Sequence, residues 1–105
     1  MLVSILCASV PQDREQDLRS AFEANLLNGA PHIVRAFLLR DQDEDETSRI
    51  VIVWRSQESI DEYRRSVGAP PDVRTFLSVG ATPSPSLSKV IAEWDADSGA
   101  ALGSG

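Results

Sequence analysis

The sequence predicts an α+β fold with the element order β-α-β-β-α-β, an antiparallel sheet and helices on one face of it. Three observations carry this expectation. Aliphatic runs of strand length recur at Leu2–Val10, His32–Arg40, Ile50–Arg55 and Leu87–Asp95. Stretches with helical spacing separate the first run from the second and the third from the fourth. The 105 residues suffice for one domain around one core.

The elements follow in order. Leu2–Val10 is aliphatic, interrupted only by the small residues Ser4, Cys7 and Ser9, and Pro11 stops it. Asp13 with Gln16 three residues on has capping-box spacing. Leu18, Ala21, Phe22 and Leu26 then share one helical face, and Asn28–Gly29 supplies a stop. His32–Arg40 and Ile50–Arg55 form a hairpin around the acidic loop Asp41–Thr47. Ser56 is a natural N-cap; Ile60, Tyr63 and Val67 give the second helix its stripe, and Gly68 closes it. Pro70–Gly80 has room for one short helix carrying Val73, Phe76 and Leu77. Thr82–Ser86 reads as a linker and Leu87–Asp95 as the last strand. Residues 1–96 are thus expected to form the domain, with 97–105 a flexible Gly/Ala/Ser tail. This order is the ferredoxin-like split βαβ arrangement.

Such a sheet has helices on one face only, yet the third strand is apolar on both. Val51 and Val53 point to one side, and Ile50, Ile52 and Trp54 to the other. One set lies under helices, and the other needs a cover. A second copy of the same sheet is the simplest cover, so a face-to-face homodimeric barrel is expected.

Composition excludes several function classes. The net charge of -6 argues against a nucleic-acid surface, which needs a basic patch. No segment approaches the roughly 20 apolar residues of a membrane-spanning helix. The opening MLVSILCASV lacks the basic start of a signal peptide. A single cysteine, Cys7, permits no intrachain disulfide and fits a reducing cytoplasm. No metal site is expected. Counted from Asp41, the acidic run puts Glu46 and Ile52 where a calcium-binding EF-hand loop requires Gly and Glu.

The stretch Ile50–Val51–Ile52–Val53–Trp54–Arg55–Ser56, followed by Glu58, Ile60 and Tyr63, resembles the antibiotic biosynthesis monooxygenase-like (ABM) domain of the dimeric α+β barrel superfamily. Ala30–Pro31–His32–Ile33 sits where such domains often carry Pro-Gly-Phe. The resemblance runs from about Leu2 to Asp95. It implies a homodimer and, for the oxygenases of the family, conversion of anthrones or quinols to quinones with O2 and no cofactor. It also implies that Trp54 lines the pocket. An Asn and a Tyr that some anthrone oxygenases carry correspond to Ile50 and Ile60 here, with Tyr63 one helical turn away. Haem-degrading members carry an Asn on the first strand and a late histidine ligand; this chain has neither, and His32 is misplaced for that role.

Oxygenase chemistry of this kind needs an apolar cavity, a base and a partner for a developing oxyanion. Arg35 and Phe37 share one face of the second strand, opposite Val34, Ala36 and Leu38. Lys89, Ile91 and Glu93 share one face of the last. With the apolar sets under the helices, Arg35 and Glu93 turn toward Trp54 in the barrel. Arg35 then holds the enolate and Glu93 is the base, or Arg35 or Lys89 pairs with Glu93 as interface structure. Phe37, Ile50, Ile52, Tyr63 and Phe76 are the expected substrate-binding walls. Trp54 is either a pocket wall or a packing anchor. The expected function is therefore a cofactor-independent monooxygenase acting on an aromatic, anthrone/quinol or polyketide-type substrate. The alternative is a non-catalytic dimeric barrel that binds a small metabolite or serves a stress response.

Overall fold

A four-stranded antiparallel sheet forms the centre of the protein, in the order β2-β3-β1-β4. The computed structural model describes residues 1–27, 31–44, 46–67, 71–96 and 100–103. The strands are β1 (Leu2–Ser9), β2 (Ile33–Arg40), β3 (Thr47–Trp54) and β4 (Ser84–Lys89). Three α-helices, α1 (Glu15–Leu27), α2 (Gln57–Val67) and α3 (Pro71–Ser78), connect them. The α+β class and the ferredoxin-like order of the first elements are as the sequence predicts. The short helix expected within Pro70–Gly80 is α3.

Register decides which side chains meet the helices. In an antiparallel pair, residues directly opposite share a face. Ile50 faces Leu6 and Leu38 across the ladders, and Ile52 faces Ser4 and Ala36. Leu6, Ile50, Ile52 and Trp54 are buried on the helix side together with Leu18, Ile60, Tyr63 and Phe76. A register shift between Ile33 and Arg35 brings Ile33 opposite Trp54 and into the core cluster. Val34 is left exposed by that bulge. The other face carries Val3, Ile5, Val51, Val53 and Phe37, with Phe37 41% exposed.

The helix ends have identifiable partners. Ser56 Oγ accepts the backbone N–H of Ser59 at 3.1 Å, the N-cap expected for α2. The Asp13–Gln16 capping box is replaced by a 3₁₀ turn over Gln12–Arg14, led by Pro11, which offers no side-chain cap. After α3 the chain reverses on Gly80 at φ 77°. There the N–H of Ala81 reaches Phe76 O at 3.0 Å and that of Gly80 reaches Leu77 O at 3.1 Å. This is a Schellman closure, which needs a left-handed residue. The glycine stops expected at Gly29 and Gly68 lie outside the described residues.

The acidic loop has its own internal order. Asp41 Oδ2 accepts the N–H of Asp43 at 3.1 Å and of Glu44 at 2.8 Å, while its Oδ1 accepts from Arg49 at 2.6 Å. Contrary to expectation, the last strand is not continuous over Leu87–Asp95. β4 pairs with β1 only as far as Lys89 opposite Leu2. Val90 N–H then bonds Met1 O at 3.1 Å. The chain leaves the sheet, and β5 (Ala92–Asp95) pairs with β6 (Ala100–Gly103) as a separate two-stranded sheet. Ala100–Gly103 is thus strand, where composition alone predicts a flexible tail. Ile91 and Trp94 are exposed.

Candidate active site

A cavity of about 280 Å³ opens between α2, α3 and the β1–β4 side of the sheet. Its walls are mostly apolar: Leu6, Trp54, Ile60, Val73, Pro85 and Leu87. Ser4, Arg64, Asp72 and Ser86 are its polar members. Strand periodicity places Ser4 and Leu6 on the helix face of β1, opposite Leu87 and Pro85 of β4. Trp54 closes β3 on the same face.

Trp54 is 2% exposed, and its indole Nε1–H donates to Ser4 Oγ at 2.9 Å. The Ser4 hydroxyl shares the cavity wall with the Asp72 carboxylate and favours its charged form. Asp72 is also only 2% exposed. Its Oδ1 accepts the N–H of Val73 at 2.9 Å. Burial raises the Asp72 pKa above the ordinary carboxylate value. The backbone N–H groups of Val73 and of Asp72 itself, the Ser4 hydroxyl and the Arg64 charge oppose that rise without cancelling it. The result is a carboxyl group in an apolar cavity whose protonation is shifted toward neutrality, the usual environment of a working acid or base.

Behind Trp54 lies an aromatic support. The Tyr63 ring meets Trp54 edge-on at 5.8 Å, and His32 meets Tyr63 at 5.9 Å. Arg74 Nη2 donates to Tyr63 Oη at 3.1 Å. These contacts pack Tyr63 against the indole and tie its hydroxyl to Arg74.

The structure brings only part of the predicted site together. Trp54 lines the cavity. Ile50, Ile52, Tyr63 and Phe76 lie on the same face but are buried in the core, outside the described lining. Arg35 and Phe37 are on the opposite face, opposite Val53 and Val51, with the Arg35 guanidinium 5.1 Å from the Phe37 ring centroid. The reason is register: Ala36 pairs with Ile52, so the strand face that puts Ala36 under the helices puts Trp54 there as well. Glu93 belongs to the β5–β6 hairpin, because β4 ends before it. Arg35, Glu93 and Trp54 therefore share no cavity within one chain. Among the described residues no cluster of His, Cys, Asp or Glu has metal-binding geometry.

Sequence reasoning missed Ser4, Arg64 and Asp72. Asp72 was recoverable. The buried stripe of α3 runs through Asp72, Thr75 and Phe76 and on to Val79 just after the helix, spaced i, i+3, i+4 and i+7. The stripe through Val73, Phe76 and Leu77 leaves Leu77 56% exposed.

Fold and cavity together define a small α+β protein with a partly open, mostly apolar cavity between its helices and its sheet. The family model described as antibiotic biosynthesis monooxygenase matches residues 1–77, and the chain belongs to that family. Among solved structures, SnoaB, a cofactor-independent oxygenase from Streptomyces nogalater, superposes with a TM-score of 0.61 at 20% identity, covering 85% of this chain and 92% of that one. A candidate antibiotic biosynthesis monooxygenase from Deinococcus radiodurans gives 0.68 at 10% identity, covering 90% and 97%. Rv0793 from Mycobacterium tuberculosis gives 0.62 at 18% identity, covering 90% and 100%. At these identities the likenesses establish the fold. No curated protein sequence matches the chain.

Proposed function

We propose that the protein is a cofactor-independent monooxygenase that oxidises a flat aromatic compound of the anthrone, quinol or polyketide type with O2. The observation that carries this reading is the cavity beside Trp54: apolar walls, one aromatic face, and one buried carboxyl group. For an anthrone the steps balance without an external reductant. A proton leaves the methylene carbon, and the resulting anion gives an electron to O2. Recombination forms a C–O bond and, after reprotonation, a hydroperoxide. Loss of the second C–H proton with O–O cleavage yields the ketone and one water. The protein's share is to bind the ring system, exclude water and favour the anion.

The site is proposed to hold the substrate against Trp54, Ile60 and Leu87. Ser4 Oγ fixes the tilt of the indole through its 2.9 Å hydrogen bond. Arg64 at the cavity wall supplies positive charge for an oxyanion. Oxygen uptake with dithranol, corrected for autoxidation, tests the reading. Trp54→Ala should lower turnover, and wild-type uptake no faster than autoxidation overturns the assignment.

One observation favours a second reading. Ile50 and Ile60 stand where some anthrone oxygenases carry Asn and Tyr, so the site has fewer polar groups than those enzymes use. A non-catalytic binder of small aromatics would show a thermal shift with 1,8-dihydroxyanthraquinone but no oxygen uptake.

We further propose that a second copy covers the open sheet face, where Val3, Ile5, Val51 and Val53 are only partly buried and Phe37 is exposed. No helix among the described residues is long and apolar enough to cross a membrane. The lone Cys7 suits a reducing compartment, which favours the cytoplasm.

A further inference from the structure

We propose that Asp72 is the proton acceptor of the cavity, held in place by Ser4, and that it restricts the site to neutral aromatic acids of the phenol, hydroquinone or anthrone kind, excluding carboxylated ones. This rests on the oxygenase reading for its catalytic half.

Four observations converge on it. Asp72 is buried yet lines the cavity, so a bound ligand reaches a carboxyl group that bulk water hardly touches. The hydroxyl of Ser4 accepts from Trp54 Nε1 at 2.9 Å, which leaves its own proton free to turn toward the Asp72 carboxylate on the same cavity wall. Asp72 Oδ1 accepts the Val73 N–H. A carboxylate accepts about four hydrogen bonds, so lone pairs remain for a ligand proton. Finally, Arg64 is the only other charged member of the lining. The elements packed around Asp72 otherwise present Ser4 and Leu6 from β1, Trp54 from β3, Ile60 from α2, and Pro85, Ser86 and Leu87 from β4. None of these titrates near neutrality.

Asp72 also sits in the first turn of α3, where an acidic side chain is ordinary. A helix-terminal carboxylate that only caps is normally solvated and made more acidic by its position. This one is desolvated and shifted the other way. Capping would be served equally by Asn, which is what makes Asp72→Asn informative: it keeps an acceptor for Val73 N–H and removes the proton acceptor.

The chemistry balances at this group. Asp72 as carboxylate takes the proton from the ligand carbon or hydroxyl, leaving the delocalised anion in the cavity. After C–O bond formation the same proton passes to the peroxide oxygen and restores the carboxylate. A ligand carrying its own carboxylate meets like charge in a low-dielectric site, where repulsion is strong.

The test is the pH profile of dithranol-dependent oxygen uptake by the full chain, with circular dichroism on each variant. Wild-type kcat should fall on the acidic side through one ionisation. Asp72→Asn should lose about 100-fold or more in kcat, lose that acidic limb, and keep KM within a few-fold. Ser4→Ala should move the limb to higher pH, since the carboxylate loses a donor; this reading decides the matter if Asp72→Asn fails to fold. Dithranol turnover by Asp72→Asn at the wild-type rate and profile overturns the proposal while leaving the oxygenase reading intact. If wild type itself shows no turnover, the oxygenase reading fails, and binding decides what is left. In a Trp94→Phe background, quenching of Trp54 fluorescence compares 1,8-dihydroxyanthraquinone with its 3-carboxylate. A preference for the neutral ligand that disappears in Asp72→Asn upholds the selectivity; an unchanged preference ends it.

Discussion

The indole Nε1 of Trp54 lies 2.9 Å from Ser4 Oγ, across the paired strands β1 and β3. This bond joins the last residue of β3 to the interior of β1 and orients the ring at the cavity wall. Trp54→Ala removes a buried aromatic and should cost about 3–5 kcal/mol in urea-induced unfolding. Trp54→Phe keeps most of the volume but leaves Ser4 without its donor, so it should cost distinctly less. Equal losses for the two variants would show that packing volume is not what Trp54 contributes.

Ser48 stands opposite Ala8 and Arg40 and is fully buried. Its Oγ has no hydrogen-bond partner among the described residues. A buried hydroxyl without a partner carries its desolvation cost uncompensated, about 1–3 kcal/mol. Ser48→Ala should therefore be neutral or stabilise by about 1 kcal/mol, and cavity effects are small because only one atom is lost. A clear loss of thermal stability would mean that the hydroxyl has a partner.

Asp72 gives stability a definite pH dependence. Unfolded, its carboxyl titrates near the usual value of about 3.9. Folded, burial makes it hold the proton to higher pH. Between the two values the native state binds more protons than the unfolded state, so stability falls as pH rises through that window. Asp72→Asn abolishes this term. The variant's melting temperature should exceed that of wild type above the window, and the difference should vanish as pH drops below about 3.9. A difference that is constant with pH would place Asp72 outside this linkage.

The sheet, the hairpin and the Ser56 cap were legible because each follows from local chemistry: aliphatic runs, turn-rich breaks, and a hydroxyl ahead of a helical stripe. The site was less legible because β3 is apolar on both faces. Nothing local tells which of Val51/Val53 and Ile50/Ile52/Trp54 lies under the helices. The deciding fact is a non-local pairing, Ala36 with Ile52. A one-residue difference in register reverses every side chain, and that is how Arg35 and Phe37 came to be grouped with Trp54. Asp72 is legible only through the spacing of its buried stripe, because an acidic residue in a first helical turn otherwise reads as a solvated one. The end of β4 likewise follows its pairing with β1, which runs to Lys89 opposite Leu2, and no property of Val90 or Ile91 encodes that.

Asp41 organises the turn between β2 and β3. Its pKa is lowered, first by the hydrogen bond from Arg49 and then by the N–H groups of Glu44 and Asp43. A lowered folded pKa means the contribution is present above the unfolded value and is lost as pH falls through the folded one. Asp41→Ala removes the acceptor of both turn N–H groups and the Arg49 partner. Amide exchange at Asp43 and Glu44 should accelerate while the amides of Ile50 and Ile52 keep their protection. Wild type should show the same local acceleration in acid. Unchanged exchange at the two turn amides would contradict the role given to Asp41.

Val51 and Ile5 face each other across β1 and β3 on the side of the sheet without helices, both only partly buried in a single chain. A charge placed there costs little in a monomer, where water reaches it. In a face-to-face dimer it would be desolvated twice, once in each copy, with like charges brought together. Val51→Glu should therefore convert a dimer into a monomer by light scattering at micromolar concentration, with the far-ultraviolet circular dichroism of the fold retained. The monomer should also lose thermal stability that depends on protein concentration in the wild type, because association stabilises only the folded state. A wild type that scatters as a monomer, with a melting temperature independent of its concentration, would leave the face without the partner assigned to it.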